Sequence, residues 1–182
     1  MSAYSDFVDR LLIRHRLGDL LRRIHVREGS EWEIKSRIDQ ASDDLMLGGG
    51  RIADPAMVHC VRAGLYYLYD DLGPARDVIK MQTDPMSCYW MAMIYRRENE
   101  VSLARQLLDR IYFNPCANAI HRRVGEKYDL YARQLNWDPY LFLNQCEQLK
   151  FGMVELEPEL RDIQNIEWTV CFEYCWNQAL EA

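Results

Sequence analysis

The residues best suited to bind a charged group are Arg96, Arg97 and Glu98, which end a helical run of apolar and aromatic side chains. Arginines in the last turn of a helix interact favourably with its exposed carbonyl groups, typically by about 0.3–1 kcal/mol. Alternatively, Glu98, Glu147 or Asp138 holds one arginine while the other receives a phosphate or carboxylate. Both interpretations stay open on the sequence.

Tryptophans are a second candidate feature, although most of them are expected in the core. Trp137 is the exception, because it lies in a turn just before Asp138 and Pro139. Its ring can either pack onto the following helix or stand at the mouth of a cleft. The predicted ligand or partner surface therefore comprises Trp90, Tyr95, Arg96, Arg97, Glu98, Trp137, Asp138 and Glu147.

The histidines and cysteines do not have the spacing of a metal site or a nucleophilic centre. The four histidines lie far apart, and His59 and Cys60, which are adjacent, project about 100° apart on a helix. No C-x-x-C pair occurs, and Cys171 and Cys175 share an otherwise apolar helical face, which is typical of core packing. We therefore expect no metal, no cofactor and no catalytic residue.

Composition and charge limit the class of protein. The chain has 182 residues, of which 49% are hydrophobic, and a net charge of -6, which argues against nucleic-acid binding. No apolar run reaches about 18 residues, so we expect no membrane span. The charged N-terminus lacks the pattern of a secretory signal, and this predicts a cytoplasmic protein.

Charge is unevenly distributed along the chain. Residues 1–37 carry eight basic and six acidic side chains, whereas residues 138–182 carry two and nine. The basic beginning can pair with the acidic end, either within one chain or across a homodimer.

Helical periodicity runs through the sequence and predicts a single all-α domain over residues 1–182. An N-terminal helical pair covers residues 1–47, with Ser5 and Ser30 as caps, and repeat-like hairpins cover 54–112. C-terminal helices cover 116–182. Asp54-Pro55 and Asp84-Pro85 signal helix starts. The predicted helices are 4–27, 31–47, 54–71, 75–82, 84–97, a helix capped by Asn99 or Ser102 that runs to 112, 116–134, 138–150 and 158–180.

A short internal repeat lies in the middle of the chain. Gly64 and Ala92 are 28 residues apart, as are Tyr67 and Tyr95, and an alanine-arginine pair follows each tyrosine. Small residues let two antiparallel helices approach closely, as in tetratricopeptide hairpins. We therefore predict a helical bundle with a central tetratricopeptide-like pair of hairpins.

Three sequence blocks, at 87–98, 136–147 and 167–175, resemble an uncharacterised family of bacterial and fungal proteins. That family carries a Tyr-Trp-His-Ala-x-x-His-Arg-Arg-Glu helix, and its two histidines fall here on Met91 and Tyr95. Any chemistry that used this histidine pair is therefore not expected in this chain. The positions that match the family are Trp90, Arg96, Arg97, Glu98, Trp137, Asp138 and Glu147.

The sequence favours a binding or scaffold module that offers a concave helical surface to a protein or peptide partner. The alternative is a small-anion-binding protein or enzyme with a polar pocket around Arg96, Arg97 and Glu98. A third hypothesis is a purely structural, self-associating protein.

Overall fold

The computed structural model describes residues 4–14 and 32–181, and in these ranges the fold is all-α, as predicted. The only β pairing in these ranges is an isolated bridge between Ile52 and Leu180. Two short 3-10 helices, Leu149–Phe151 and Val154–Leu156, connect the last two α-helices. The described α-helices are α1 (Asp6–Arg14), α2 (Trp32–Gln40), α3 (Asp43–Leu47), α4 (Pro55–Leu68), α5 (Leu72–Ile79), α6 (Pro85–Arg97), α7 (Val101–Leu108), α8 (Ala117–Gly125), α9 (Asp129–Ala132), α10 (Pro139–Gln148) and α11 (Glu157–Ala179).

Aspartate-proline pairs start three of these helices. The carboxylate of Asp54 accepts the backbone N–H of Ala56 at 2.9 Å, and that of Asp84 accepts the N–H of Ser87 at 2.9 Å. Asp138 caps α10 in the same way. The proline that follows each aspartate has no N–H to leave unsatisfied in the first turn. The starts predicted for α4 and α6 are therefore confirmed.

Several predicted helix bounds are wrong. The helix expected over 31–47 is two helices, because Ser42 adopts an extended conformation and caps α3 by accepting the N–H of Leu45 at 3.1 Å. The helix expected over 116–134 divides into α8 and α9. The helix expected over 75–82 begins at Leu72, and α7 ends at Leu108. The first helix is described as far as Arg14, and the Ser30 cap lies outside the described residues.

The core forms where α4, α6 and α11 meet. Gly64 on α4 lies against the rings of Phe172 and Trp90, and a Cβ at Gly64 would stand 2.8 Å from a Phe172 ring carbon. Trp168 stacks on Phe172 with ring centroids 4.7 Å apart and donates its indole N–H to the Gly64 carbonyl at 3.0 Å. Helix α4 also packs on α5, and α6 packs on α7. These contacts hold α6 in the middle of the molecule.

The beginning of the chain contacts α11 of the same chain. Tyr4 makes edge-on ring contacts with Phe172 and Trp176, at centroid distances of 5.6 and 5.2 Å. Tyr4 therefore packs on α11 through aromatic contacts, while the charge pairing expected between the two ends stays a prediction. Across the described ranges, none of the helices is both long enough and apolar enough to cross a membrane.

Candidate functional site

Arg96 lies in the core, where it pairs with Glu167 of α11. Both guanidinium amino groups donate to the Glu167 carboxylate, one of them at 3.1 Å. The Tyr89 hydroxyl donates to the same carboxylate at 2.6 Å, and the Trp137 indole N–H donates to the Tyr89 hydroxyl at 2.6 Å. The Arg96 guanidinium also lies 4.4 Å from the centroid of the Phe142 ring. One polar network therefore joins α6, α10, α11 and the turn at Trp137.

Burial and pairing determine the charge states in this network. Burial alone would lower the pKa of Arg96, but the Glu167 carboxylate raises it well above the ordinary arginine value. Burial, followed by the charge of Glu167, raises the pKa of Tyr89 well above that of an exposed tyrosine. Arg96 is therefore a cation and Tyr89 a neutral hydroxyl at neutral pH, so the network is an ion pair extended by two neutral donors.

Arg97 closes the C-terminal end of α4. Its guanidinium donates to the Tyr67 carbonyl at 2.8 Å and to the Asp70 carboxylate, and it lies 4.7 Å from the Tyr67 ring centroid. Asp70 has a φ of 62°, in the left-handed region, where the chain turns out of α4. Since the Arg97 side chain is fully buried, this interaction is part of the core.

Glu98 and Tyr95 lie beside Arg76 of α5. One Arg76 amino group donates to both Glu98 oxygens, at 2.9 and 3.0 Å, and the Arg76 guanidinium lies 5.9 Å from the Tyr95 ring centroid. The three residues of the Arg-Arg-Glu cluster thus have three different partners. These contacts favour the structural role of the cluster over a shared anion pocket.

The remaining predicted site residues occupy separate places. Trp90 is fully buried and donates its indole N–H to the Cys175 sulfur at 3.3 Å. Asp138 accepts the backbone N–H groups of Tyr140 and Leu141 at 2.9 and 3.1 Å. Glu147 is half-buried on α10. The structure therefore does not gather the predicted residues around one pocket.

Trp137 does line a cleft, of about 300 Å³, between the end of α7, the segment that leads into α8, and the start of α10. Trp137 also stacks on Tyr131, with centroids 5.4 Å apart, and contacts Phe142 of α10 at 5.6 Å. Both roles considered for this residue are therefore compatible with its position. The cleft is lined by Tyr89, Leu108, Asp109, Ile111, Asn114, Ala117, Asn136, Trp137, Pro139 and Tyr140.

Large apolar side chains stand in solvent next to this cleft. Tyr112 is 100% exposed and Phe113 is 69% exposed, and both lie between the cleft residues Ile111 and Asn114. The Tyr140 hydroxyl donates to the Asp109 carboxylate at 2.7 Å and joins two of the lining segments. The site thus combines an aromatic lining with exposed apolar groups beside it.

The sequence analysis missed Tyr89, Leu108, Tyr140 and Glu167. Glu167 had a signal, since this acidic residue directly precedes a stretch of α11, Trp168 to Phe172, in which Thr169 is the one polar residue. A carboxylate in such a position needs a buried cation. The cleft residues had no comparable signal, because three separate chain segments supply them.

Candidate metal ligands do not cluster within residues 4–14 and 32–181, where no group of three or more was found. His59 forms a hydrogen bond with Gln82 at 2.9 Å, and His121 forms one with the Tyr131 carbonyl at 3.1 Å.

Comparison with known proteins gave no match to a family model, a curated protein or a solved structure.

Proposed function

We propose that this protein is a helical binding module that receives an apolar side chain of a protein or peptide partner in the Trp137 cleft. The observation that carries the proposal is the cleft itself, with Tyr89 and Trp137 in its lining and Tyr112 and Phe113 exposed beside it. Its volume lies at the lower end of the range for ligand pockets, roughly 300–1,000 Å³.

The polar groups of the cleft suit a peptide. Asp109, Asn114 and Asn136 bring a carboxylate and two amides to the lining, and the backbone of a peptide offers donors and acceptors for such groups. Aromatic residues are enriched at protein interfaces because they bury large areas with few rotatable bonds. A bound peptide would place an apolar side chain against the aromatic lining, and its backbone would hydrogen-bond to the polar groups.

The proposal includes a cytoplasmic location and a tetratricopeptide-like arrangement of α4–α5 and α6–α7. All six cysteines are free thiols, as is typical of a reducing compartment. The two hairpins pack internally and against each other through α4 and α6. Their 28-residue spacing supports a shared ancestry as a repeat.

The anion-binding or enzymatic alternative is supported less well. Arg96 already donates to the buried carboxylate of Glu167, and Arg97 to the partly exposed carboxylate of Asp70, so an anion would have to displace one of them. Breaking a buried pair costs about 3–5 kcal/mol. Among the described residues that line the cleft, none is an arginine.

The proposal is tested by selecting peptides from a random display library on the purified protein and measuring their affinity by fluorescence anisotropy. Ala117→Trp places a large ring in the cleft lining and should weaken binding at least about tenfold. Asn118→Trp adds the same ring at an exposed neighbour on α8 and should leave binding unchanged. Equal binding by wild type and Ala117→Trp, or a failure to select any peptide, would overturn the proposal.

A further inference from the structure

A second apolar surface lies between α10 and α11, away from the residues that line the cleft. Phe151 is 80% exposed, Val154 65% and Met153 42%, so three large apolar side chains stand in solvent within four residues. Single exposed apolar residues are ordinary on protein surfaces, but a contiguous group is typical of an interaction site. We name this group, together with Glu155, Glu157 and Glu159, the 151–159 turn.

The turn is anchored to the core by Leu149, which precedes it, and by Leu156 within it, and both side chains are partly buried. The Gly152 N–H donates to the Leu149 carbonyl at 3.2 Å, and the Leu156 N–H donates to the Met153 carbonyl at 3.2 Å. Gly152 has a φ of 89°, which a side chain would disfavour, and this conformation reverses the chain between the two 3-10 helices. The apolar groups are therefore presented on an ordered backbone.

The charges beside these side chains are mainly negative. Three glutamates follow the apolar residues, and Lys150 is the single basic residue between positions 149 and 160. Glu157 and Glu159 lie in the first turn of α11, where a negative charge stabilises the helix dipole. Glu155 precedes that helix and is exposed. The turn thus combines an exposed apolar group with an acidic edge.

We infer that the 151–159 turn docks a basic amphipathic helix of a partner protein. The apolar stripe of such a helix would cover Phe151, Met153 and Val154, while its lysines or arginines would face the glutamates. Charge complementarity of this kind raises the association rate and excludes acidic partners. It also disfavours an anionic membrane surface, which the same glutamates would repel.

A designed helix tests this inference without knowledge of the natural partner. The probe is a fluorescein-labelled peptide of about 18 residues with leucine and lysine at helical spacing, about five turns of helix. The matched peptide has glutamate in place of lysine. We expect the lysine peptide to bind, with an affinity that falls as salt is added, and the glutamate peptide not to bind.

Variants locate the binding surface. One double variant is Phe151→Ser with Val154→Ser, and the other is Glu155→Lys with Glu157→Lys. Each should lower the affinity for the lysine peptide at least about tenfold. The control pair, Tyr112→Ser and Phe113→Ser, removes exposed apolar groups beside the cleft and should change nothing. All these positions are at the surface or half-buried, and thermal melting verifies that the variants fold.

Four results would overturn the inference. The first is that the lysine peptide does not bind, and the second is that the variant pairs bind it as tightly as wild type. The third is that the protein binds anionic vesicles and not the peptide. The fourth is a concentration-dependent dimer that the Phe151→Ser and Val154→Ser pair abolishes. The last result would make a second copy of this chain the occupant. None of these outcomes depends on the cleft, so the two surfaces succeed or fail separately.

Discussion

Arg96 and Glu167 are the residues whose interaction most directly joins distant parts of the chain. The pair lies in the core, and both Tyr89 and Trp137 extend it towards the cleft. Because buried charges are costly without a partner, each residue depends on the other. The indole N–H of Trp137 is occupied by this network, and the residue is 5% exposed, so only a small part of its ring faces the cleft.

Arg96→Met should destabilise the protein by about 3–5 kcal/mol, because it leaves the Glu167 carboxylate buried without a cation. Adding Glu167→Leu should recover much of this loss, since the charge is then removed. The measurement is urea denaturation. Arg51→Met, which breaks an exposed pair with Glu181 at 3.1 Å, is the control and should cost less than about 1 kcal/mol. If the Arg96 and Arg51 variants lose the same free energy of unfolding, the buried pair does not stabilise the fold.

Alkaline pH should lower stability through Tyr67. Burial raises the pKa of Tyr67 to about 12, whereas an unfolded tyrosine titrates near 10. Between these values the unfolded state binds fewer protons than the folded state, so the free energy of unfolding falls as pH rises from about 10 to 12. Below pH 10 the contribution is fully present.

The check for Tyr67 is a comparison of urea midpoints at several pH values. Tyr67→Phe should reduce the alkaline loss by about 2–3 kcal/mol. Tyr112→Phe removes a fully exposed hydroxyl and should leave the loss unchanged. An identical alkaline slope in wild type and Tyr67→Phe would contradict the assignment.

Sequence reasoning identified the arginines but not their partners. It considered Glu98, Glu147 and Asp138 as carboxylates that could hold Arg96 or Arg97, whereas Glu167 and Asp70 do so. Glu167 is 71 residues from Arg96, and its proximity depends on how α11 packs on α6. Pairing of this kind is a property of the tertiary structure, which helical spacing alone does not contain.

At the scale of the helices, local chemistry predicted starts better than breaks. Asp54, Asp84 and Asp138 each cap a helix that begins with proline, and all of them act through neighbouring backbone groups. The break before α3 depends on Ser42 adopting an extended conformation, although the apolar pattern continues across it. Periodicity therefore joined two helices that only Ala41 and Ser42 separate.

Gly64→Ala should destabilise the packing of α4 against α11 and α6. The new methyl group would stand 2.8 Å from Phe172 and 3.1 Å from Trp90, both of which are rigid rings in the core. Overpacking of this kind costs about 1–3 kcal/mol. The matched control is Gly73→Ala in α5, where the new Cβ would have no packing neighbour within 4 Å beyond the adjacent helix backbone, and helix propensity predicts a gain of up to about 1 kcal/mol. Relative to wild type, the free energy of unfolding should fall for Gly64→Ala and rise for Gly73→Ala. Equal changes in the two variants would contradict this packing.

Ala104→Leu tests the contact between α6 and α7. Ala92 and Ala104 are both buried and line the same small void, of about 10 Å³, which is too small for three additional carbon atoms. The substitution should cost about 1–3 kcal/mol. Ser102→Leu, at an exposed position of the same helix, should have little effect on the urea midpoint. An unchanged midpoint for Ala104→Leu would reject the close approach of the two helices.

In the part of the chain that the structure describes, a helical core carries an apolar cleft and an exposed apolar turn of different character. The Trp137 cleft is concave and mixed in polarity, while the 151–159 turn is exposed and followed by glutamates. The uneven charge of the sequence indicated an acidic C-terminal region, but only the fold shows which apolar groups accompany it. The homodimer suggested by the same charges stays a prediction.

Nuclear magnetic resonance tests most directly whether the Trp137 cleft receives an apolar side chain, as we propose. The protein is labelled with ¹⁵N, and an acetylated Ala-Phe-Ala amide is added while the backbone and indole N–H resonances are followed. Trp137→Phe identifies the Trp137 indole signal. We predict saturable shifts at the Trp137 indole and at Ile111, Ala117 and Tyr140, which Ala117→Trp abolishes and Asn118→Trp preserves. Shifts that do not saturate, or that lie away from the cleft, would rule out binding of the side chain in the cleft.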